Sequence, residues 1–257
     1  MGEDIIQFEE GEGIGVLTLN RPAARNGVTQ ALLEGLHAKV REIAMRPEVR
    51  VLILRGAGND FCVGADIKAA LAGSGPPPRF EDLAHTYHVS TLLHQMPQVT
   101  IAAIDGGCAG AGLGWAAACD FRYASDRAVF ATAFLKVGAS GDMGTAWFLN
   151  RIVGPSRARE LMFLPEKVDA GEALRIGLVS RLFTAESLHH EVRAIAVGLA
   201  AAVPATLRLM KANLVSAETL ALDQYIEIET ARHVHISSSP VLMEGFAAFM
   251  KVRKGGQ

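Results

Sequence analysis

The sequence predicts an α/β protein with an all-helical C-terminal region, on three observations. A short, continuous apolar run at residues 51–54, matched later by the largely apolar 99–104 and 121–124, has the length and composition of a strand buried on both faces. Stretches of helical spacing lie between such runs, so strand and helix alternate up to about residue 185. From Pro204 onward the strand signals vanish and only helical spacing remains.

Taken in order, residues 5–8 and 14–19 are β-rich and flank the turn-forming 10–13, a hairpin pattern. A polar turn at 20–27 follows. Thr29 is an N-cap type, and Leu32, Leu36, Val40 and Ile43 recur at helical spacing up to the stop at Pro47. After the run at 51–54, residues 59–68 lead into a helix whose start Asp66 can cap. Residues 72–78, with two glycines and three prolines, cannot continue a helix and read as a surface loop. The run at 99–104 ends in glycines, and 113–119 can start a helix. Leu207, Met210 and Leu214 open a helical pattern that Pro240 breaks and that reaches Lys251. We divide the chain into a core, 1–203, expected to bind and process substrate, and a helical region, 204–257. The apolar stripe of the latter is too small to form a core alone, so it is expected to serve assembly.

Composition narrows the function. The net charge is −2 with both signs interspersed, so no basic stripe for nucleic acid is expected. Residues 99–119 are apolar enough to raise the question of a membrane span, but Asp105 and the glycines oppose insertion, and no membrane association is expected. Residues 1–10 lack the basic start and apolar run of a secretory signal. Cys62, Cys108 and Cys119 form no C-x-x-C pair and read as reduced thiols, so a cytoplasmic location is expected. His85 and His88 share an i, i+3 spacing, yet no third ligand accompanies them and no metal site is expected.

The Gly-rich run 106–114 fits neither the dinucleotide register nor a Walker motif. It offers instead a strand, a glycine turn and a helix start, which points backbone N–H groups at whatever sits there. Residues 59–68 repeat that arrangement around Gly64. Each segment alone is accounted for by a tight turn. Together they can place two N–H donors on one carbonyl oxygen, as a reaction with a developing oxyanion requires.

These segments carry a resemblance. Asn20-Arg21-Pro22 with Ala24-Arg25-Asn26, then Phe61-Cys62-Val63-Gly64-Ala65-Asp66-Ile67-Lys68, then Ile104-Asp105-Gly106, Gly110-Ala111-Gly112 and Cys119-Asp120, resemble the successive signatures of the crotonase (enoyl-CoA hydratase/isomerase) superfamily. The likeness continues through Gly171-Glu172-Ala173 and Gly177-Leu178-Val179. It implies a spiral of ββα units, a helical C-terminal oligomerisation region, and a homo-trimer or hexamer. It implies a coenzyme A thioester as substrate, with no separate cofactor. The oxyanion donors carried over are the N–H groups of Ala65 and Ala111. The coenzyme A contacts carried over are Ala65, Asp66, Ile67 and Lys68, with Arg25 a second phosphate candidate. Phe249 and Lys254 correspond to a segment that reaches a neighbouring subunit's ligand. For each basic residue an ordinary solvated cation is the competing reading.

The departures from pattern bear on the reaction. Hydratases of this family use two glutamates, and the corresponding positions here are Gly114 and Phe134. Hydration needs acid–base groups at the reacting carbons. The remaining carboxylate is Asp142, with Phe134, Met143, Trp147 and Phe148 close in sequence. Its position resembles that of the lone acid of enoyl-CoA and ring-epoxide phenylacetyl-CoA isomerases, and that of the nucleophile of 4-chlorobenzoyl-CoA dehalogenase. The dehalogenase also needs a tryptophan and a histidine where this chain has Phe134 and Tyr87, with His88 one residue away. The competing reading of Asp142 is a helix N-cap.

The expected function is therefore an acyl-CoA isomerase that shifts a double bond. Asp142 carries the proton, Ala65 and Ala111 hold the enolate oxygen, and Tyr87, Phe134 and Met143 line the acyl pocket. The alternatives are a hydratase, a hydrolytic dehalogenase, and a non-catalytic acyl-CoA-binding protein.

Overall fold

A tight turn at Glu12 and Gly13, both left-handed at φ 58° and 80°, joins β1 (Ile6–Gly11) antiparallel to β2 (Ile14–Leu19). Two left-handed residues match the twist of the strands they connect. The computed structural model describes residues 4–73, 79–238, 240, 242–243 and 245–246. Next comes α1 (Gln30–Ala44), whose first turn is capped by the Thr29 hydroxyl accepting from Leu32 N–H at 3.3 Å. Leu32, Leu36, Val40 and Ile43 are buried, as their spacing requires. The helix stops ahead of Pro47.

The chain then enters β3 (Val51–Gly56), which runs parallel to β2. It continues through α2 (Ile67–Ala72), α3 (Phe80–Tyr87) and α4 (Val89–Gln95) to β4 (Val99–Ile104), parallel to β3. The loop expected at 72–78 lies mostly outside the described residues, and α2 ends where it begins. After β4 come β5 (Gly107–Ala109), α5 (Ala111–Ala118), β6 (Phe121–Ser125) and β7 (Val129–Ala131). The helices α6 (Thr145–Ile152) and α7 (Gly154–Phe163) lead to β8 (Val168–Asp169), α8 (Ala170–Arg175) and β9 (Arg181–Phe183). Three helices close the described chain: α9 (Leu188–Ala200), α10 (Pro204–Ala217) and α11 (Leu222–Ser237).

The strands form two layers. The main sheet has the order β1-β2-β3-β4-β6-β9 and is parallel apart from the β1–β2 hairpin, while β5, β7 and β8 form a second, small sheet. Single bridges, Val28 to Ala65 and Cys62 to Cys108, extend the small layer toward the N-terminal repeats. Successive turns of the chain thus add a long strand to one layer, a short segment to the other and helical cover, which is the expected spiral of ββα units.

The main sheet is buried on both faces, and the alternation is direct. Leu52, Leu54, Ala102 and Ile104 join a core with α1, α4 and α5, whereas Val51, Ile53, Ile101 and Ala103 face the buried side of α9. The apolar runs lack a polar alternate position because neither face meets water.

The C-terminal region is built of helices in its described part, and a buried ion pair is among the contacts that tie it to the core. Lys211 of α10 is 4% exposed, and its ammonium donates to the carbonyls of Leu93 and Gln98 at 3.2 and 2.8 Å and lies 2.8 Å from the Asp120 carboxylate. Breaking such a buried pair by removing one partner costs about 3–5 kcal/mol. Leu207 packs against the core beneath α9, whereas Met210, Leu214, Leu222 and Val234 are exposed in the single chain. Among the described residues no single helix is long and apolar enough to cross a membrane.

Candidate active site

Two glycine turns sit against one another at the junction of the layers. Gly64 and Gly110 are left-handed at φ 86° and 52°. A Cβ on Gly64 would lie 3.1 Å from the Ala109 carbonyl oxygen, and a Cβ on Gly110 would lie 3.4 Å from the Gly64 Cα. Backbone conformation disfavours a side chain at both positions, and at Gly64 the close approach of the Ala109 carbonyl adds to it. The segments are held in register by Cys62 N–H donating to Gly107 O at 3.0 Å and Ala109 N–H donating to Cys62 O at 2.9 Å.

The next residues are Ala65 and Ala111. Ala65 N–H takes part in none of the described hydrogen bonds, although its neighbours Gly64 and Asp66 pair with Val28. Ala111 is the first residue of α5 and has no carbonyl behind it in the helix to bond to. Two adjacent turns thus each present an unpaired N–H, one of them at the positive end of a helix.

The surrounding polar residues stiffen this junction. Arg25 makes a bidentate pair with Asp60 at 2.8 and 2.8 Å, and Asp60 also accepts from Gly107 N–H at 2.7 Å. Arg25's hydrogen bonds hold the Asp60 carboxyl below its usual range. Asp66 caps α2 by accepting from Ala69 N–H at 3.0 Å and pairs with Arg21 at 2.9 Å. Ile67 and Lys68 are exposed on α2, and Lys68 makes no described hydrogen bond or ion pair. Arg25 also lines a cleft of about 480 Å³ with Arg127, Lys136 and Lys167, beside Val63, Gly107 and Ala109. Phe249 and Lys254 lie outside the described residues.

Asp142 lies on the segment that packs over α5. Its side chain caps nothing. The residue before α6 is Gly144, α6 has no side-chain cap, and it is the Asp142 main-chain carbonyl that accepts from Thr145 N–H and Oγ1, at 3.0 and 2.9 Å. The Asp142 Oδ1 is buried without any hydrogen-bond partner. Burial pushes the carboxyl up from 3.8 to about 6. The next residue, Met143, is buried and held left-handed at φ 49°, a conformation a non-glycine residue adopts at some cost. Tyr87 is half-buried, and its phenol is raised first by burial and then by the charge of Asp142. Cys62 is pushed up to about 12 by burial, with Asp142 adding to the shift, so it is an inert thiol.

The two positions occupied by glutamate in hydratases differ in the space they leave. A Cβ on Gly114 would meet the Met143 Cβ at 2.6 Å and Thr145 Oγ1 at 2.8 Å, so the helix and the Asp142 segment touch there with no room for a side chain. Phe134 is buried, follows the left-handed Ala133, and brings its ring near Gly110. The structure therefore brings Ala65, Ala111, Phe134, Asp142, Met143 and Tyr87 to one region.

The chain matches the enoyl-CoA hydratase/isomerase family over residues 9–256. It belongs to that family. It is 32% identical over 255 residues to a crotonyl-CoA hydratase of Syntrophomonas wolfei subsp. wolfei, covering 99% of this chain and 98% of the relative. It is also 32% identical over 248 residues to 4-chlorobenzoyl coenzyme A dehalogenase-1 of an Arthrobacter species, covering 95% and 90%. The crystal structure of an enoyl-CoA hydratase from Bacillus anthracis superposes with a TM-score of 0.91 at 28% identity, over 96% of each chain. This member of the enoyl-CoA hydratase/isomerase family is thus an acyl-CoA-processing enzyme with the crotonase fold.

Other residues near the site had not stood out in the sequence. Ser90 and His94, four residues apart on α4, line a cleft with Tyr87 and Met143. The i, i+4 spacing was visible, but nothing in the sequence said which face of α4 meets the site. His85 packs edge-on against His37 of α1, with ring centroids 5.6 Å apart, rather than forming a pair with His88. His88 instead lies between α3 and α4, near Thr91 Oγ1.

Proposed function

We propose that this enzyme is an enoyl-CoA isomerase that moves a double bond by proton transfer through Asp142. The observation that carries the reading is the Asp142 carboxyl itself: half-buried, with Oδ1 fully buried and unpartnered, and raised to about 6, beside two turns that each offer a free N–H. A base that removes a proton from carbon works best when its pKa lies near the operating pH. Burial supplies that shift, since removing water disfavours the charged carboxylate.

In this reading the thioester oxygen accepts from Ala65 and Ala111 N–H. Asp142 takes a proton from the carbon chain, the electron pair delocalises onto the thioester oxygen as an enolate, and the same carboxylic acid returns the proton two carbons away. Loss of one oxyanion donor typically costs about 2.7–4 kcal/mol of transition-state stabilisation. Hydration would need a second group to orient water, and at the first glutamate position Gly114 leaves no space for one. Arg25, Ala65, Asp66, Ile67 and Lys68 hold the coenzyme A portion, with Phe249 and Lys254 assigned to a neighbouring subunit's ligand. The exposed apolar residues of α10 and α11 are covered in a homo-trimer or hexamer.

A second reading has support of its own. The dehalogenase relative shares 32% identity over most of both chains, and an aspartate at this position could attack an aryl carbon as a nucleophile. A panel of aliphatic and aromatic enoyl-CoA and chlorobenzoyl-CoA substrates separates the two. Growth of conjugated thioester absorbance from unconjugated enoyl-CoA supports isomerisation, and chloride release supports the second reading. Tight coenzyme A binding without either would mark a binding protein.

A further inference from the structure

A cleft of about 370 Å³ opens between α4 and α6, starting at Met143 and Gly144, the residues directly after Asp142. A volume of this order suits a small organic group. Its walls are unequal. On the α6 side stand Met143, Trp147 and Phe148, the two rings edge-to-face with centroids 4.9 Å apart. Opposite stand Tyr87, the last residue of α3, and Ser90, Thr91, His94 and Gln95 of α4. The lining contains no leucine, isoleucine or valine, although half of the chain's residues are hydrophobic. Aromatic walls favour a ring, which can meet them edge-on or offset, over a flexible alkyl chain.

The α4 side adds two polar groups with capacity to spare. Ser90 is 4% exposed, and its hydroxyl is buried without a hydrogen-bond partner. A buried polar atom left unpaired in a native fold calls for an explanation, since leaving it so costs free energy. One helical turn on, and so on the same face, His94 places its ring against Trp147 and Phe148 at 5.6 and 5.4 Å. Its Nε2 lies 2.9 Å from the Glu218 carboxylate, at the end of α10. The carboxylate holds the proton on Nε2, which leaves Nδ1 as an acceptor.

From this we infer that the acyl group carries a ring with a hydroxyl substituent, and that Ser90 and His94 select for that hydroxyl. The inference rests on reading the Asp142 region as the acyl site. Glu218 is a positioning residue, since it fixes the His94 tautomer without lining the cleft.

Binding tests this apart from turnover. The probes are phenylacetyl-CoA, its three ring-monohydroxylated isomers and hexanoyl-CoA, none of which has a side-chain double bond to shift. Titration calorimetry should show phenylacetyl-CoA ahead of hexanoyl-CoA, and the best hydroxylated isomer tighter still by about three- to tenfold, the effect of one net hydrogen bond. Ser90→Ala or His94→Phe should erase that increment, read within each variant as the ratio of hydroxylated to plain phenylacetyl-CoA affinity, and Asp142→Asn should keep it. Equal or tighter binding of hexanoyl-CoA, or a hydroxyl increment that survives both the Ser90 and His94 variants, overturns the inference. The two readings fail separately. A hydroxyl increment without isomerase turnover removes only the Asp142 mechanism, and turnover without an increment removes only the substrate class.

Discussion

Gly110 rests its backbone on that of Gly64, so closely that a Cβ on the first would touch the Cα of the second at 3.4 Å. The contact fixes the spacing of the N–H groups that follow, at Ala65 and Ala111. Ala111→Pro is an informative probe, because the first position of a helix tolerates proline and has no intrahelical bond to lose. The variant should retain its melting temperature and lose about 10²–10³ in kcat. Thermal melts with steady-state kinetics check both, and Ala111→Gly should remain near parental.

Gly114 gives a packing prediction. Its Cβ position is already taken by Met143 and Thr145. Gly114→Ala should destabilise the protein by roughly 1–3 kcal/mol, as overpacked cores do. Gly114→Glu should therefore fail to create a hydratase. A stably folded Gly114→Glu enzyme that hydrates crotonyl-CoA would show that the space exists after all.

The buried carboxyl predicts a stability effect with a definite sign. Asp142 titrates at about 6 in the folded protein against 3.8 ordinarily. The folded state thus binds a proton that the unfolded chain has released, and the charged carboxylate is a cost above pH 6 that disappears toward pH 4. Asp142→Asn should raise stability by roughly 1–3 kcal/mol at pH 7–8, with the gain fading as pH falls through this window. Denaturant titrations at pH 8 and pH 4.5 read this directly. An unchanged or lower stability at pH 8 would mean that the carboxylate has a partner or ready solvation.

Much of this was legible in the sequence, and the reasons are physical. The largely apolar run at 99–104 appears as β4 with every residue buried, because a parallel strand covered on both faces has no water-facing side. Thr29 and Asp66 cap the helices they precede. Asp142 does not serve as the side-chain cap the sequence also allowed: its main-chain carbonyl accepts from Thr145, and Oδ1 is left without a partner. Long-range pairing was not legible. Lys211 reads as an ordinary surface cation in an amphipathic helix, yet it is buried on Asp120, ninety-one residues earlier in the sequence. Trp147, close to Asp142 in sequence, projects half-exposed and stacks under Arg151 at 3.6 Å.

Assembly offers a further check. Met210 and Leu222 are 60% and 75% exposed in the single chain, and surfaces of this kind mark interaction sites. Light scattering should give a mass three or six times that of the 27.3 kDa chain. Charged substitutions at Met210 and Leu222 should shift it toward monomer.

The central claim is that Asp142 moves the proton, and the most direct measurement is turnover of an unconjugated enoyl-CoA in deuterated water by the parental enzyme and Asp142→Asn. The account predicts that the substrate's own proton is carried across, so that the parental product gains little deuterium at carbon, with kcat falling below pH 6 and a loss of about 10²–10⁴ in kcat for the variant with acyl-CoA affinity retained. An Asp142→Asn enzyme that shifts the double bond at the parental rate would contradict it.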